Sequence, residues 1–233
     1  PLNAVKEAKK KKAKILVISS GGKLASWSKR NKYPSLIFTT ENNPCGQPRM
    51  SLGYMIFGQI AFLNKVGLLN ISQKQIKEAI KTMEYFNTQF GALMPTKENK
   101  AKQLALKALK HSVWHIASEH LCGNAHAASN QMNESAKRFS GFYFIPELNH
   151  HLMEGMVYPT SNKNNLLFVL FQSKLYDKRI QKRYKITEKV LNKNSIDFFS
   201  YHCQGENKLL QVCEVLVLSS YVSYYCAVLK GLN

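Results

Sequence analysis

Two short stretches of this 233-residue chain carry side chains that can move protons. In Asn130-Gln-Met-Asn-Glu134, spacings of three and four residues set Asn130, Asn133 and Glu134 on one face of a helix. Amides on a helix expected to be buried need hydrogen-bond partners, and a carboxylate among them can be tuned as a base. Pro146-Glu-Leu-Asn-His-His151 packs a carboxylate and two imidazoles into what reads as a loop. Glu with His is the pairing that proton shuttling near neutral pH requires. A third stretch, Ser19-Ser-Gly-Gly22, opens a helix and offers hydroxyls and backbone N–H groups to an anion, with Ser20, Gly21 and Gly22 foremost. Each stretch also has a plainer reading: surface polarity for the first two, an ordinary strand-to-helix turn for the third. No H-E-x-x-H or other metal-ligand spacing occurs, so no metal site is expected. The five Cys are odd in number and contain no C-x-x-C pair, which reads as free, mostly buried thiols in a reducing cytoplasm.

Such residues need a scaffold, and the hydrophobic pattern supplies one. Short β-branched runs at 14–18, 35–39, 112–116, 142–145, 166–171 and 196–201 predict strands. Helical spacing covers 23–30, 50–69, 73–90, 99–109, 125–139, 177–191 and 209–230, and the 50–69 segment, apolar on most sides, reads as buried. Strands alternating with helices predict an α/β fold, with parallel sheets covered by helices on both faces. Ligands of such sheets bind at the carboxyl ends of the strands, where 19–22, 119–134 and 146–154 should fall. Pro95 and its charged neighbours punctuate the chain near 91–102, so two domains are expected, 1–97 and 98–233. The first has only two strands, too few for a stable sheet of its own.

The chain holds 33 Lys and Arg against 14 Asp and Glu, a formal charge of +19. That invites a nucleic-acid reading. Yet 45% hydrophobic and 11% aromatic residues can fill a core, which excludes a disordered polycation. No helix-turn-helix, RNP or zinc-finger pattern accompanies the charge, and the lysines lie on the outer faces of amphipathic helices, so no nucleic-acid partner is expected. No secretion signal is seen, and the apolar stretch 209–229 is interrupted by Glu214 and three Ser, reading as a buried helix and not a membrane span. At the start, 2–12 resembles the second half of a helix; at the end, Gly231 supplies a helix-stop signal.

Taken together, Ser19-Ser-Gly-Gly-Lys-Leu24, Gly46-Gln-Pro-Arg49 with Gly53-Tyr54, Asn130-Gln-Met-Asn-Glu134, and Pro146-Glu-Leu-Asn-His150 with Glu154-Gly155 follow one another in an order that resembles the bifunctional phosphoglucose/phosphomannose isomerase family, built from sugar isomerase (SIS) domains. Arg179, Arg183 and Thr187, and Tyr221-Val-Ser-Tyr-Tyr225, are similar to that family as well. The resemblance implies two SIS-type subdomains, the first incomplete. It implies interconversion of glucose 6-phosphate, and of mannose 6-phosphate, with fructose 6-phosphate, a step of glycolysis and gluconeogenesis, in the cytoplasm and without a cofactor. By the same resemblance, Glu134 is the base that moves a proton between C1 and C2, His150 assists ring opening, and Arg49 stands beside the enediolate. Gln47 and Asn130 join Ser20, Gly21 and Gly22 in binding the substrate, and a homodimer is implied, with His150 crossing to the partner's site. The chemistry is coherent: a fixed guanidinium stabilises a developing anion better than a mobile ammonium.

The family's Ser-x-Ser-Gly-x-Thr phosphate loop and its tail with a catalytic lysine have no match here, and Lys230 lies too early to be that lysine. The expectation is therefore an internal fragment, weak or inactive by itself. The competing expectation is an SIS-type sensor that binds a sugar phosphate without turnover, which would not need both Glu134 and His150; a basic nucleic-acid-binding protein ranks behind it.

Overall fold

The computed structural model describes residues 1–232, which divide into two compact units between Ser72 and Gln73. The division falls earlier than the 97/98 boundary read from the sequence.

The first unit contains α1 (Leu2–Lys10), β1 (Val17–Ser19), α2 (Gly22–Arg30), β2 (Ser35–Ile37), a 3-10 turn (Pro48–Met50) and α3 (Leu52–Lys65). β1 and β2 form a two-stranded parallel sheet, with Val17 opposite Ser35 and Ser19 opposite Ile37. Gly58 allows α3 to lie close to that sheet: a Cβ there would stand 2.9 Å from the Leu36 side chain. The segment expected to be a buried helix is otherwise half-exposed, with Gly58 its one buried residue within α3. Two three-residue strands offer too little surface to cover a helix that is apolar on most sides.

The second unit contains α4 (Gln73–Phe90), α5 (Lys100–Ala108), β3 (Ser112–Ala117), α6 (Cys122–Glu134), β4 (Ser140–Phe144), α7 (Glu147–Gly155), the short α8 (Asn162–Asn165), β5 (Leu166–Gln172), α9 (Lys178–Lys193), β6 (Asp197–His202) and α10 (Lys208–Val228). Its four strands are parallel in the order β4-β3-β5-β6. Parallel strands require covered faces, and here α6 and α10, with α4 and α5 behind them, pack on one side while α7 and α9 pack on the other. β5 shows the consequence, since Leu167 to Phe171 are all buried. Burying each such Leu, Val or Phe stabilises the fold by about 1.5–3 kcal/mol.

α4 belongs to this unit because it packs along α10: Tyr221 Oη donates to Asn87 Oδ1 at 2.7 Å and Tyr225 Oη to the Phe90 carbonyl at 2.6 Å. By length and composition alone α10 could cross a membrane, but twelve of its residues, from Gln211 to Cys226, are buried in this core. Asn99 caps α5, accepting from Lys102 N at 3.0 Å, and Asp177 caps α9, accepting from Arg179 N at 2.8 Å. All five cysteines are free; Cys203, Cys213 and Cys226 are buried, and Cys45 is exposed.

Candidate active site

The Ser19–Gly22 turn joins β1 to α2 at the carboxyl end of the small sheet, as expected. Ser19 Oγ donates to the Gly21 carbonyl at 2.9 Å and accepts from Gly21 N at 3.2 Å, closing the turn on itself. Gly21 and Gly22 have φ of 149° and 69°, conformations that suit glycine and leave Ser20 exposed at the tip. Among the described residues no side chain caps α2, which leaves its first amides without a side-chain acceptor.

Gln47 and Arg49 sit in the loop that leads to α3. Arg49 Nη1 donates to Gln47 Oε1 at 2.9 Å, so the two side chains expected at the substrate hold one another. Sequence reasoning missed the residue that shapes this loop. Asn43 is 5% exposed and its amide donates to the Gln47 carbonyl and to Ser51 Oγ, both at 2.8 Å. The Asn43-Pro44 dipeptide was the available signal, since Asn before Pro favours turn initiation.

Asn130, Asn133 and Glu134 lie in the last turn and a half of α6, which ends at Glu134 and not at Phe139. β4 runs parallel to β3, so α6 must carry the chain back to the start of the sheet. Glu134 therefore stands at the amino-terminal edge, not at the carboxyl edge where the sequence reading put it. Asn133 explains why the helix stops there. Its amide donates to the Ser129 and Ser140 carbonyls at 2.9 and 2.8 Å, and its Oδ1 accepts from Ser140 N at 3.1 Å. Ser140 is the first residue of β4; its Oγ donates to the Val113 carbonyl at 2.7 Å and lies 3.3 Å from Nδ1 of buried His115. One amide thus clamps the end of α6 to the sheet. The neighbouring side chains of Asn130 and Glu134 are exposed and make no hydrogen bond or ion pair among the described residues.

The 146–154 segment is a helix, α7, and not a loop. It follows the cis Ile145–Pro146 bond at the carboxyl end of β4. Asn149 points inward to donate to Thr187 Oγ1 of α9 at 2.8 Å. That places the adjacent His150 outward, where it is exposed. His151 Nε2 and Glu147 Oε1, one turn apart, are 2.6 Å apart. Glu134 and His150 thus flank opposite ends of β4: one precedes the strand, the other follows it.

At the carboxyl ends of β3 and β5, where a ligand of this sheet would first be sought, side chains cross the sheet edge, and beside them a pocket of about 150 Å³ is lined by Gln172, Ser173, Lys174, Tyr184, Lys185 and His202. His120 Nε2 lies 2.9 Å from Gln211 Oε1, and Ser173 Oγ donates to the same oxygen at 2.6 Å. Tyr176 Oη reaches Ser118 N at 3.3 Å. Burial pushes the His120 imidazole below its ordinary pKa, against the hydrogen bond to Gln211. Among the described residues no three His, Cys, Asp or Glu side chains converge in a way that could hold a metal ion.

Residues 97–233 match the family described as the bacterial phospho-glucose isomerase C-terminal SIS domain. The chain belongs to that family. It is 27% identical over 230 residues to a bifunctional phosphoglucose/phosphomannose isomerase of Caldicellulosiruptor bescii, covering 98% of this chain and 66% of the relative. A protein of the same description from Thermoplasma volcanium is 26% identical, covering 100% and 68%. The chain thus spans about two thirds of the length of these curated relatives. Among solved structures, glucosamine-6-phosphate deaminase of Thermotoga maritima superposes with a TM-score of 0.69 at 14% identity, covering 100% of this chain and 67% of that one. A glucose-6-phosphate isomerase like protein of Thermus thermophilus gives 0.57 at 19%, covering 67% and 54%. At these identities the structures speak for the α/β SIS fold. The family match begins at 97, so α4 packs into the compact second unit from outside the matched region.

Proposed function

We propose that this protein is an aldose–ketose isomerase of hexose 6-phosphates, interconverting glucose 6-phosphate, and mannose 6-phosphate, with fructose 6-phosphate through a cis-enediol. Membership of a phosphoglucose isomerase SIS family and the description of the relatives support the substrate class. The observation that carries the reading is Glu134, an exposed carboxylate one residue beyond a clamped amide, with no partner among the described residues to tie up its lone pairs.

In this reading Glu134 takes the proton from C2 of the open-chain aldose and returns it to C1. The negative charge passes to the enediolate oxygens, where the Arg49 guanidinium stabilises it. His150 moves a proton between the ring oxygen and the C1 hydroxyl to open the sugar. The Ser20-Gly21-Gly22 turn, Gln47 and Asn130 bind the hydroxyls and anionic groups. Glu134 and His150 lie beyond opposite ends of one strand, so we infer that a single sugar meets Glu134 from one copy and His150 from a second, in a homodimer. No cofactor has a role in this sequence of steps. Five free thiols suit a reducing cytoplasm, where glycolysis and gluconeogenesis would use the activity.

The test is Glu134→Gln in a version spanning the full length of the curated relatives. Exchange of the C2 proton in deuterated water should fall by about a thousandfold or more, with sugar-phosphate affinity changed by less than about threefold. Unaltered exchange would exclude Glu134 as the base and favour a sensor.

A further inference from the structure

The loops that open β3, β4 and β5 surround a polar cavity of about 410 Å³, lined among others by Lys110, His111, Lys137, Arg138 and Asn165. Arg138 is built into its wall. Its Nη2 donates to the Ala108, Leu109 and His111 carbonyls at 2.7, 2.8 and 3.1 Å, which fixes the plane of the guanidinium. Its Nε is buried and has no partner. All three acceptors are neutral. Among the described residues no carboxylate lies within ion-pairing distance of Arg138, Lys110 or Lys137. Asp197, the acidic side chain nearest His111 at 3.7 Å, is shared with Lys107 at 3.4 Å. Among the described residues Lys137 Nζ donates only to the Glu134 carbonyl, at 2.7 Å.

Three permanent cations therefore line one concave space without a counter-ion among the described residues, and one of them is locked in position. A dianion with several acceptor oxygens matches that arrangement better than a single carboxylate does. The pocket opens to the surface, and its volume is in the range of small-molecule sites. We propose that this cavity binds the phosphate group of a small phosphorylated metabolite. The inference stands on the geometry of the second unit and does not rest on the isomerase reading.

Inorganic phosphate and glucose 6-phosphate are titrated by calorimetry into the 233-residue chain at low ionic strength. Both should bind saturably. Lys110→Gln with Lys137→Gln should weaken binding about tenfold or more, from the loss of two charges a few ångströms from the ligand. Lys178→Gln with Lys182→Gln, two exposed lysines of α9 that line neither this cavity nor the pocket beside β5, removes the same charge elsewhere on this unit and should change it less than about threefold. Arg138→Lys, checked for folding by its melting temperature, should also weaken binding because the planar fork is lost. No saturable binding below about 10 mM, or an equal loss in the two lysine pairs, overturns the proposal. The lysine comparison decides the matter even if Arg138→Lys unfolds.

Discussion

The clamp at the end of α6 is open to a direct test. Asn133→Ala deletes two bonds donated by the amide and one accepted from Ser140 N. Each such bond contributes about 1 kcal/mol net, and an unsatisfied buried N–H costs about 1–3 kcal/mol. Ser140 is 8% exposed, so its N–H has little access to water once Asn133 is gone, whereas its carbonyl keeps the Ser129 hydroxyl at 3.1 Å. The expected loss is about 3 kcal/mol. Urea unfolding reads it cleanly in a Trp27→Phe background, where Trp114 of β3 is the remaining tryptophan. With a slope of about 2 kcal/mol per molar, the midpoint should drop by about 1.5 M. Asn133→Asp keeps the acceptor for Ser140 N but turns a carboxylate towards two carbonyl oxygens, and should cost at least as much. Asn130→Ala, one turn earlier and without a partner among the described residues, should stay within about 0.5 kcal/mol. If Asn133→Ala also stayed within 0.5 kcal/mol, the amide would not be what ends α6, and the account of how Glu134 is presented would fall with it.

Other consequences follow from buried groups. Burial lowers the His115 imidazole from 6.5 to about 4. The folded state then binds fewer protons than the unfolded one between those values, so stability should fall by about 3 kcal/mol as pH drops from 6.5 to 4 and level off below; a His115→Gln chain with an unchanged pH slope would contradict this. Glu214 is fully buried, accepting from Tyr201 Oη at 2.7 Å and from Gln204 N and Gly205 N at 2.8–3.0 Å, and desolvation raises its carboxyl pKa. Glu214→Ala should cost about 3–5 kcal/mol and Glu214→Gln much less, and equal melting temperatures for the two variants would refute the anchoring role. At Gly141 a Cβ would stand 2.4 Å from the Trp114 ring. Gly141→Ala should therefore destabilise by about 1–3 kcal/mol and shift Trp114 emission, and a wild-type melting curve would show that the ring has room to move.

Much of the second unit was legible from local pattern. The β5 run is continuously apolar because that strand is covered on both faces, and Asn99 and Asp177 announce the starts of α5 and α9 as helix caps do. The first unit was harder to read. The 50–69 segment has the composition of a buried helix, but composition does not say how much partner surface exists, and two short strands supply little. Near the candidate site, Glu134 and His150 were singled out by residue type and order, whereas the hydrogen bonding of Asn133 and Asn43 was not foreseen. An amide reads the same in sequence whether it faces a substrate or ties down a backbone.

By itself the sequence determined the α/β class, the order of elements and which carboxylate and imidazoles could exchange protons, because these follow from periodicity and side-chain chemistry. Only the tertiary structure decided where those groups stand. A parallel sheet forces α6 to return to the amino-terminal edge before β4 can begin, and α7 to start at the other edge once β4 has ended. The same return brings Lys137 and Arg138 to the loops that open β3 and β5, where residues distant in sequence close around one cavity. Spacing along the chain carries no record of which end of a strand a helix reaches; the direction of the neighbouring strand does.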